Sequence, residues 1–207
     1  MDPQYFLELC KKGDLTTIRE VLDDGFEISV FFEDIDNQIN PLCYAKNGLV
    51  VDLLFEYDEL GELFNYEDDV PVIHHVINAV ANGKIDLSAL MQVAENDDSL
   101  NRDWDGNCGD FTIHAAVRTG IYDIVKIILD AGSSTNILSN DGCSAIGIAA
   151  QQGNKEIVQL LLEYGSPKKA DQFKFMIEFD NGDDVPEVED PIKLAANDEI
   201  RNILMIV

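Results

Sequence analysis

The chain of 207 residues carries 40 acidic side chains against 14 basic ones, which gives a formal net charge of -26 at pH 7. A field of this sign repels nucleic acid and anionic membranes, so direct binding to either is not expected, and it attracts proteins with a basic surface. Hydrophobic residues make up 46% of the sequence, which excludes a disordered chain. The acidity also fits a surface that only serves solubility, and both interpretations stay open.

The start of the chain does not resemble a secretion signal, because Met1-Asp2-Pro3-Gln4 is neither basic nor followed by a long apolar run. No stretch approaches the ~18 consecutive apolar residues of a membrane span. The cysteines are far apart and form no C-x-x-C pair; they are Cys10, Cys43, Cys108 and Cys143. We therefore expect free thiols and a cytoplasmic protein.

Residues 3–95 are predicted to form degenerate N-terminal repeats, each a pair of short helices. In the first repeat, Gly13 breaks an apolar helix and Gly25 ends the next one, because glycine accepts the left-handed backbone that ends a helix. The second repeat begins at Asn40, where a proline follows that suits a first helical turn. Gly48 is expected to separate its two helices.

A third repeat starts near Val70, and its apolar residues recur at helical spacing as far as Val80. Gly83 breaks that pattern. The apolar residues of the helix that follows are Leu87, Leu90, Met91 and Val93. The register of the repeat around residues 70–95 stays open at this point.

The clear repeats occupy residues 105–166, where one unit is written twice. Gly120 and Gly153 are 33 residues apart, and so are Gly132 and Gly165. A fixed period of this length is typical of a solenoid. Each copy has apolar residues at helical spacing on both sides of its first glycine, which predicts a helical hairpin. One hairpin cannot bury its apolar face alone, so the copies must stack.

These residues resemble the ankyrin repeat family, whose pattern is a D-G turn, a T-P-L-H-x-A-A helix, a glycine and an I-V-x-x-L-L helix. The matching residues of the second copy are Asp141-Gly142, Ser144-Ala145-Ile146, Ala149-Ala150, Gly153, Ile157-Val158, Leu161-Leu162 and Gly165. Those of the first copy are Gly109, Ile113-His114, Ala116, Gly120, Ile124-Val125, Gly132 and Asn136.

The resemblance implies an all-α ankyrin-repeat solenoid of about five to six helix-turn-helix units with acidic insertions, as a single domain over residues 1–207. Residues 167–189 are assigned to an acidic insertion. Helical spacing resumes in residues 190–207, which we interpret as a C-terminal capping repeat, since a terminal repeat turns one face to water.

Motifs for catalysis are missing from the sequence, which contains no G-x-S-x-G, H-E-x-x-H, Walker or Rossmann pattern. Consecutive His74 and His75 would point about 100° apart on a helix, which argues against a shared metal ion. The resemblance places His114 at the family's structural histidine, whose ring hydrogen-bonds to neighbouring turns. We therefore expect a non-enzyme that needs no cofactor and no metal.

In the ankyrin family, partners are usually held by the tips of the inter-repeat turns and by the concave face of the first helices. Carried over to this sequence, that pattern implies a protein-binding surface on both clear repeats. Its residues in the first copy are Asn107, Cys108, Asp110, Arg118 and Thr119. Its residues in the second copy are Asn140, Asp141, Cys143, Gln151 and Gln152. The alternative is that these are exposed polar residues without a binding role.

A second candidate surface lies between residues 47 and 83, a stretch without Lys or Arg in which aromatic side chains alternate with carboxylates. Its acidic members, which we assign to protein binding, are Glu59, Glu62, Asp68 and Asp69. An acidic patch that carries Phe and Tyr indicates a docking surface, because solvation alone needs no aromatic residues. The same aromatics fit the core of an enlarged repeat equally well.

The hypothesis drawn from these observations is a non-catalytic protein-binding scaffold that covers, and so inhibits, a basic protein. Small acidic ankyrin proteins resemble the immunity proteins that neutralise bacterial toxins, and this likeness is an analogy between families. Two alternatives stay open. One is an effector or adaptor that recruits a cellular protein through its repeats. The other is an acidic mimic of nucleic acid, whose carboxylates stand in for phosphates.

Overall fold

The computed structural model describes residues 1–31, 39–58, 63, 71–97, 100, 111–139, 142–175 and 188–206. The chain divides into two compact units, an N-terminal unit (Met1–Asp98) and a C-terminal unit (Ser99–Val207). Each unit contains three helical pairs among its described residues. None of the described helices is long and apolar enough to cross a membrane. The single domain over residues 1–207 stays a prediction.

The N-terminal unit begins with the pair that the glycine pattern predicts. Its elements are, in chain order, α1 (Pro3–Lys12), α2 (Leu15–Asp23), a 3-10 turn (Ile28–Phe31), a second 3-10 turn (Pro41–Tyr44), α3 (Gly48–Glu56), α4 (Val72–Ala81) and α5 (Leu87–Asn96). Gly13 ends α1 with a φ of 71°, and the Asp14 carboxylate accepts a hydrogen bond from the Thr17 N–H to begin α2. The structure thus contains the two helices expected of the first repeat, whose assignment as a repeat stays a prediction.

The connection after α2 is partly a packed element. Phe26 stacks on Phe6 of α1 with ring centroids 4.7 Å apart, and Phe31 lies 5.8 Å from Phe6. Three rings in mutual contact bury a large apolar area, so this segment contributes to the core of the first pair.

The middle pair corrects the interpretation of Gly48. Gly48 is the first residue of α3, and the helix is preceded by Asn47, whose side chain caps the Val50 N–H. A Cβ atom at Gly48 would lie 2.8 Å from the Ser88 carbonyl oxygen. Glycine is needed at this position because α3 approaches α5 closely. Gly48 therefore begins the second helix of the pair and is not a separator between the two helices. The first helix of this pair is reduced to the 3-10 turn Pro41–Tyr44.

The third pair consists of α4 and α5, with Gly83 between them at a φ of 67°. This settles the register that the sequence left open. The buried residues of α5 are Ala89, Leu90, Val93 and Ala94. Leu87 and Met91 belong to the helix as predicted, but they are exposed by 37% and 47%.

The C-terminal unit contains both clear repeats. Its elements are α6 (Thr112–Arg118), α7 (Tyr122–Asp130), β1 (Ile137–Leu138), α8 (Ala145–Gln152), α9 (Lys155–Glu163), a 3-10 turn (Ala170–Gln172), β2 (Lys174–Phe175), α10 (Pro191–Leu194) and α11 (Asp198–Met205). Gly153 ends α8 with a φ of 76°. The predicted apolar residues that are buried are Ile113, Ala116, Val117, Ile124, Val125, Ile128, Leu129, Ile146, Ala149, Ala150, Ile157, Val158 and Leu161. The two hairpins are therefore confirmed.

The acidic insertion assigned to residues 167–189 begins with ordered backbone. Its strand β2 pairs in parallel with β1, with Ile137 opposite Lys174 and Leu138 opposite Phe175. Sequence periodicity gave no signal for this pair, because each strand has only two residues. Residues 176–187 lie outside the described part of the chain.

The last pair, α10 and α11, falls within the predicted capping repeat and has the same local design as the middle pair. Asn40 and Asp190 each cap a short first turn that starts with proline. Six positions after each capping residue, a backbone N–H donates a hydrogen bond to the preceding repeat. The donors are Lys46, which bonds to the Cys10 carbonyl oxygen, and Ala196, which bonds to the Ala150 carbonyl oxygen, both at 3.0 Å. A shortened repeat therefore occurs in each unit.

The first prediction concerns the stacking of repeats around α8, which contacts both α6 and α10. Ala149 is fully buried on this helix. Ala149→Leu should lower the free energy of unfolding by roughly 1–3 kcal/mol, because the larger side chain overpacks the contact between helices. Chemical denaturation monitored by circular dichroism measures this change.

Gln151→Leu is the matched control, since it adds a leucine at an exposed position of the same helix. It should change the unfolding free energy by less than about 0.5 kcal/mol. If Ala149→Leu were as stable as the parent protein, α8 would not be packed between neighbouring repeats.

Candidate protein-binding surface

Many residues of the predicted binding surface lie outside the described part of the chain. They are Asn107, Cys108, Asp110, Asn140, Asp141, Glu59, Glu62, Asp68 and Asp69. Their roles stay predictions. The described members are Arg118, Thr119, Cys143, Gln151 and Gln152.

Four of the described members meet where the C-terminal ends of α6 and α8 adjoin. The side chain of Gln152 donates a hydrogen bond from Nε2 to the Arg118 carbonyl oxygen at 3.1 Å. Gln151 is the preceding residue of α8, and Thr119 follows directly on α6. Arg118, Gln151 and Gln152 are exposed. The spacing of the repeats therefore brings these predicted residues to one edge of the C-terminal unit.

Two members of this edge also maintain the fold. The Thr119 hydroxyl donates to the Ala116 carbonyl oxygen at 2.6 Å and accepts from the Ile121 N–H at 3.2 Å. The Gln152 amide is engaged with Arg118. The side chain of Gln151, in contrast, is exposed and makes no hydrogen bond to another described residue, so its amide is available to a partner.

Cys143 lies at the other end of α8, apart from Gln151 and Gln152. The helix is eight residues long, which corresponds to about 12 Å. Cys143 is half-buried, and its Sγ lies 4.0 Å from the Oε2 atom of Glu189. The structure does not bring Cys143 together with the residues at the C-terminal ends of α6 and α8.

His114 is fully buried on α6. Its Nδ1 atom accepts a hydrogen bond from the Phe111 N–H at 3.2 Å, which satisfies a backbone donor at the start of the helix. This contact with the N-cap residue of its own helix supports the structural role expected of His114. Within the described residues, no three His, Cys, Asp or Glu side chains are grouped to hold a metal ion.

Some of the basic side chains form ion pairs within the fold. In the described part of the chain, six of them form ion pairs, which are Lys11–Glu8, Arg19–Glu56, Lys46–Asp86, Lys126–Asp130, Lys155–Glu199 and Arg201–Asp198. Since acidic residues outnumber basic ones by 40 to 14, most carboxylates have no basic residue to pair with. The electrostatic field around the protein is therefore strongly negative.

A tyrosine clasp joins the second helices of the first two pairs. The Tyr57 hydroxyl, at the C-cap of α3, hydrogen-bonds to the Asp23 carboxylate of α2. Arg19 lies over the Tyr57 ring at 5.9 Å from its centroid and forms two hydrogen bonds of 2.9 and 2.8 Å to the Glu56 carboxylate. Phenol, guanidinium and carboxylates thus hold α2 against α3.

The same clasp recurs in the C-terminal unit. The Tyr164 hydroxyl, at the C-cap of α9, hydrogen-bonds to the Asp130 carboxylate of α7, and Lys126 lies 6.0 Å from the ring centroid. In both clasps the aspartate precedes the tyrosine by 34 residues. That spacing, with a basic residue four positions before the aspartate, is a sequence signal from which both clasps could have been predicted.

The clasps change the acid–base properties of their tyrosines. The hydrogen bond to Asp130, followed by desolvation, raises the pKa of Tyr164, and Lys126 opposes this effect. Asp23 acts in the same way to raise the pKa of Tyr57. A raised pKa means that folding favours the neutral phenol, so this stabilisation is present below the pKa of the unfolded chain. It is lost as the pH rises through the folded value.

Comparison with known proteins relates the chain to a protein family. The family described as "Ankyrin repeats (3 copies)" matches residues 76–172, just under half of the chain. Diacylglycerol kinase iota of Mus musculus is 38% identical over 96 residues, which cover 45% of this chain and 9% of that protein. The chain thus spans about a tenth of the length of that curated relative.

The Notch-regulated ankyrin repeat-containing protein of Xenopus laevis is 33% identical over 85 residues, which cover 41% of this chain and 74% of that protein. The chain therefore belongs to the ankyrin repeat family. The crystal structure of the ankyrin repeat domain of Bcl-3, described as a unique member of the IkappaB protein family, covers 96% of both chains with a TM-score of 0.50 and 16% identity. This likeness confirms the ankyrin solenoid fold.

Membership of this family indicates a protein–protein interaction scaffold, since ankyrin repeats generally bind other proteins. Such scaffolds are typically non-catalytic. The match to the kinase relative covers only 9% of that protein.

The clasp in the C-terminal unit makes a prediction about tyrosine ionisation. Asp130→Asn should lower the pKa of Tyr164 towards its usual value of about 10, because the carboxylate that opposes the phenolate is removed. NMR of carbon-13-labelled tyrosine rings, followed across alkaline pH, measures this shift. Tyr164→Phe identifies the signal.

Asp123→Asn serves as the control, since Asp123 lies on the same helix and makes no hydrogen bond to Tyr164. It removes one carboxylate and should leave the pKa of Tyr164 unchanged. An equal shift in both variants would show that overall charge, and not the clasp, sets the pKa of Tyr164.

Proposed function

We propose that the chain is a non-catalytic scaffold that binds a protein with a basic surface and inhibits it by covering that surface. The observation that carries the proposal is the charge of -26 on an ankyrin-repeat fold. The mode of action would be that of an immunity protein that neutralises a toxin.

Physical arguments support a basic partner. Six basic side chains of the described residues pair with carboxylates of the same chain, and acidic residues outnumber basic ones by 40 to 14, so carboxylates dominate the surface charge. A surface dominated by carboxylates accelerates association with a positively charged protein and disfavours acidic competitors. This effect acts before any short-range contact is made.

Short-range contacts would come from the edge formed by α6 and α8. Exposed Arg118, Gln151 and Gln152 provide polar groups there, and Gln152 is held by its bond to the Arg118 carbonyl oxygen. Held side chains lose little conformational entropy on binding, which favours affinity. Asp110 and Asp141 flank the first helices in sequence and are proposed to supply the charge.

Capture from a native cell lysate on the immobilised protein, followed by mass spectrometry, identifies the partner. We expect a basic protein whose association rate falls as ionic strength rises. Raising salt from 0.01 M to 0.15 M shortens the Debye length from about 30 Å to about 8 Å, which screens electrostatic steering. Surface plasmon resonance with the purified partner measures the rate at each salt concentration.

Charge reversal locates the surface. Asp110→Lys with Asp141→Lys should slow association and weaken binding if the clear repeats form the interface. The four-residue reversal of Glu59, Glu62, Asp68 and Asp69 to Lys should do so if the N-terminal unit does. The control for the first pair is Glu156→Lys with Glu163→Lys on the exposed side of α9, which changes the net charge equally.

Circular dichroism must show that all variants stay folded. If both reversals bound the partner as the parent does at every salt concentration, acidity would serve solubility and the proposal would fail. The partner's own activity separates the remaining alternatives. Loss of that activity supports inhibition, competition with DNA or RNA indicates a nucleic-acid mimic, and unchanged activity indicates an adaptor.

A further inference from the structure

The shortened first helix of the middle pair leaves a cleft in the N-terminal unit. In the row of first helices, α1 and α4 each have ten residues, whereas the element between them is the four-residue 3-10 turn Pro41–Tyr44. The missing helical turns leave open space beside α1 and α4. This space, the N-terminal cleft, has a volume of about 650 Å³.

The size and lining of the N-terminal cleft are those of a ligand site. Its lining residues are Lys11, Ile39, Asn40, Cys43, Tyr44, His75, Asn78, Ala79, Asn82, Lys84 and Ile85. Sites for small molecules typically have ~300–1,000 Å³, with apolar walls and a few placed polar groups. The cleft combines apolar and aromatic walls with two lysines and three asparagines.

The described residues that line the cleft carry a charge opposite to that of the chain. None of these described residues is an Asp or Glu, although the chain has 40 acidic residues. Lys11 lies over the Tyr44 ring, with its Nζ atom 5.0 Å from the ring centroid, and it forms an ion pair with Glu8. Lys84 forms no ion pair with a described residue. A basic cleft in a strongly acidic protein points to an anionic ligand.

Neutral polar groups in the cleft suit an anion as well. The Asn78 side-chain amide makes no hydrogen bond to a described residue, and the Asn82 amide donates one of its hydrogens to the Asn78 carbonyl oxygen at 2.7 Å. Burial raises the pKa of the Cys43 thiol to about 12 despite the opposing effect of Lys84. The thiol therefore stays neutral and adds no negative charge to compete with a ligand.

We propose that the N-terminal cleft binds a carboxylate carried on an apolar body, with Lys84 and Lys11 holding the anion and Asn78 and Asn82 donating hydrogen bonds. The walls of Ile39, Tyr44 and Ile85 take the apolar part. This site does not depend on the proposed recognition of a basic protein. The carboxylate has two possible sources, a free organic acid or an acidic side chain of a polypeptide.

Two pairs of probes test the site. One pair is 3-phenylpropionate and its neutral amide, and the other is acetyl-Leu-Glu-Leu-amide and the corresponding glutamine peptide. Proton–nitrogen NMR spectra follow the side-chain amide signals of Asn78 and Asn82 during titration. We expect at least one acid to bind with millimolar or better affinity and roughly tenfold more tightly than its neutral partner, since hydrogen bonds to a charged group are the stronger ones.

The variants Lys84→Met and Lys11→Met should each weaken binding of the acid several-fold. Lys12→Met is the matched control, because Lys12 is the exposed neighbour of Lys11 on α1 and does not line the cleft. It removes the same charge and should preserve affinity. The source of the carboxylate follows from which acid, the free one or the peptide, binds more tightly.

The proposal is overturned if neither acid shifts the amide signals, or if each neutral probe binds as tightly as its acid. Equal weakening by Lys12→Met and Lys84→Met would also overturn it, since a general electrostatic effect would then account for binding. The comparison of acid with amide uses the unmodified protein, so it decides the matter even if a variant fails to fold.

Discussion

Stacking of helical pairs is the constraint on which the rest of the structure depends. A pair such as α6 and α7 is too small to bury its apolar face alone, so each pair must cover its neighbour. Small residues allow the close approach that this requires, as Gly48 does against the Ser88 carbonyl oxygen. Backbone bonds from Lys46 to Cys10 and from Ala196 to Ala150 then fix the position of each shortened repeat. The tyrosine clasps add a second link between neighbouring second helices.

The sequence predicted those features that depend on local pattern. Gly120 and Gly153 made the two hairpins predictable, because helical spacing of apolar residues and a glycine that ends a helix are both visible within a few residues of sequence. Prediction failed where a residue distant in the sequence determines the local structure. The role of Gly48 is set by Ser88, the strand β2 is defined by its pairing with β1, and Phe26 belongs to the core because Phe6 lies beside it. None of these partners is recognisable from the local sequence.

The candidate binding surface likewise has one part that local sequence pattern predicted and another that it did not. Arg118 and Gln152 were both assigned to the binding surface, and the structure places them at the last positions of α6 and α8 and joins them by a hydrogen bond. It separates Cys143 from that edge, because a turn tip and a helix end lie at opposite ends of α8. The N-terminal cleft could not be predicted from residue types, since it arises from the helix that the middle pair lacks. The scaffold thus offers an acidic exterior and a cleft whose described lining contains Lys11 and Lys84 but no Asp or Glu, which are chemically different surfaces.

The central claim is that a partner protein is held by the edge of the first helices in the C-terminal unit. Hydrogen–deuterium exchange, measured on the protein alone and on its complex with the captured partner, tests this claim most directly. The account predicts slower exchange in peptides that cover the C-terminal ends of α6 and α8 and residues 105–111, with little change in α7 and α9. Protection confined to α7 and α9, or absent from the C-terminal unit altogether, would contradict it.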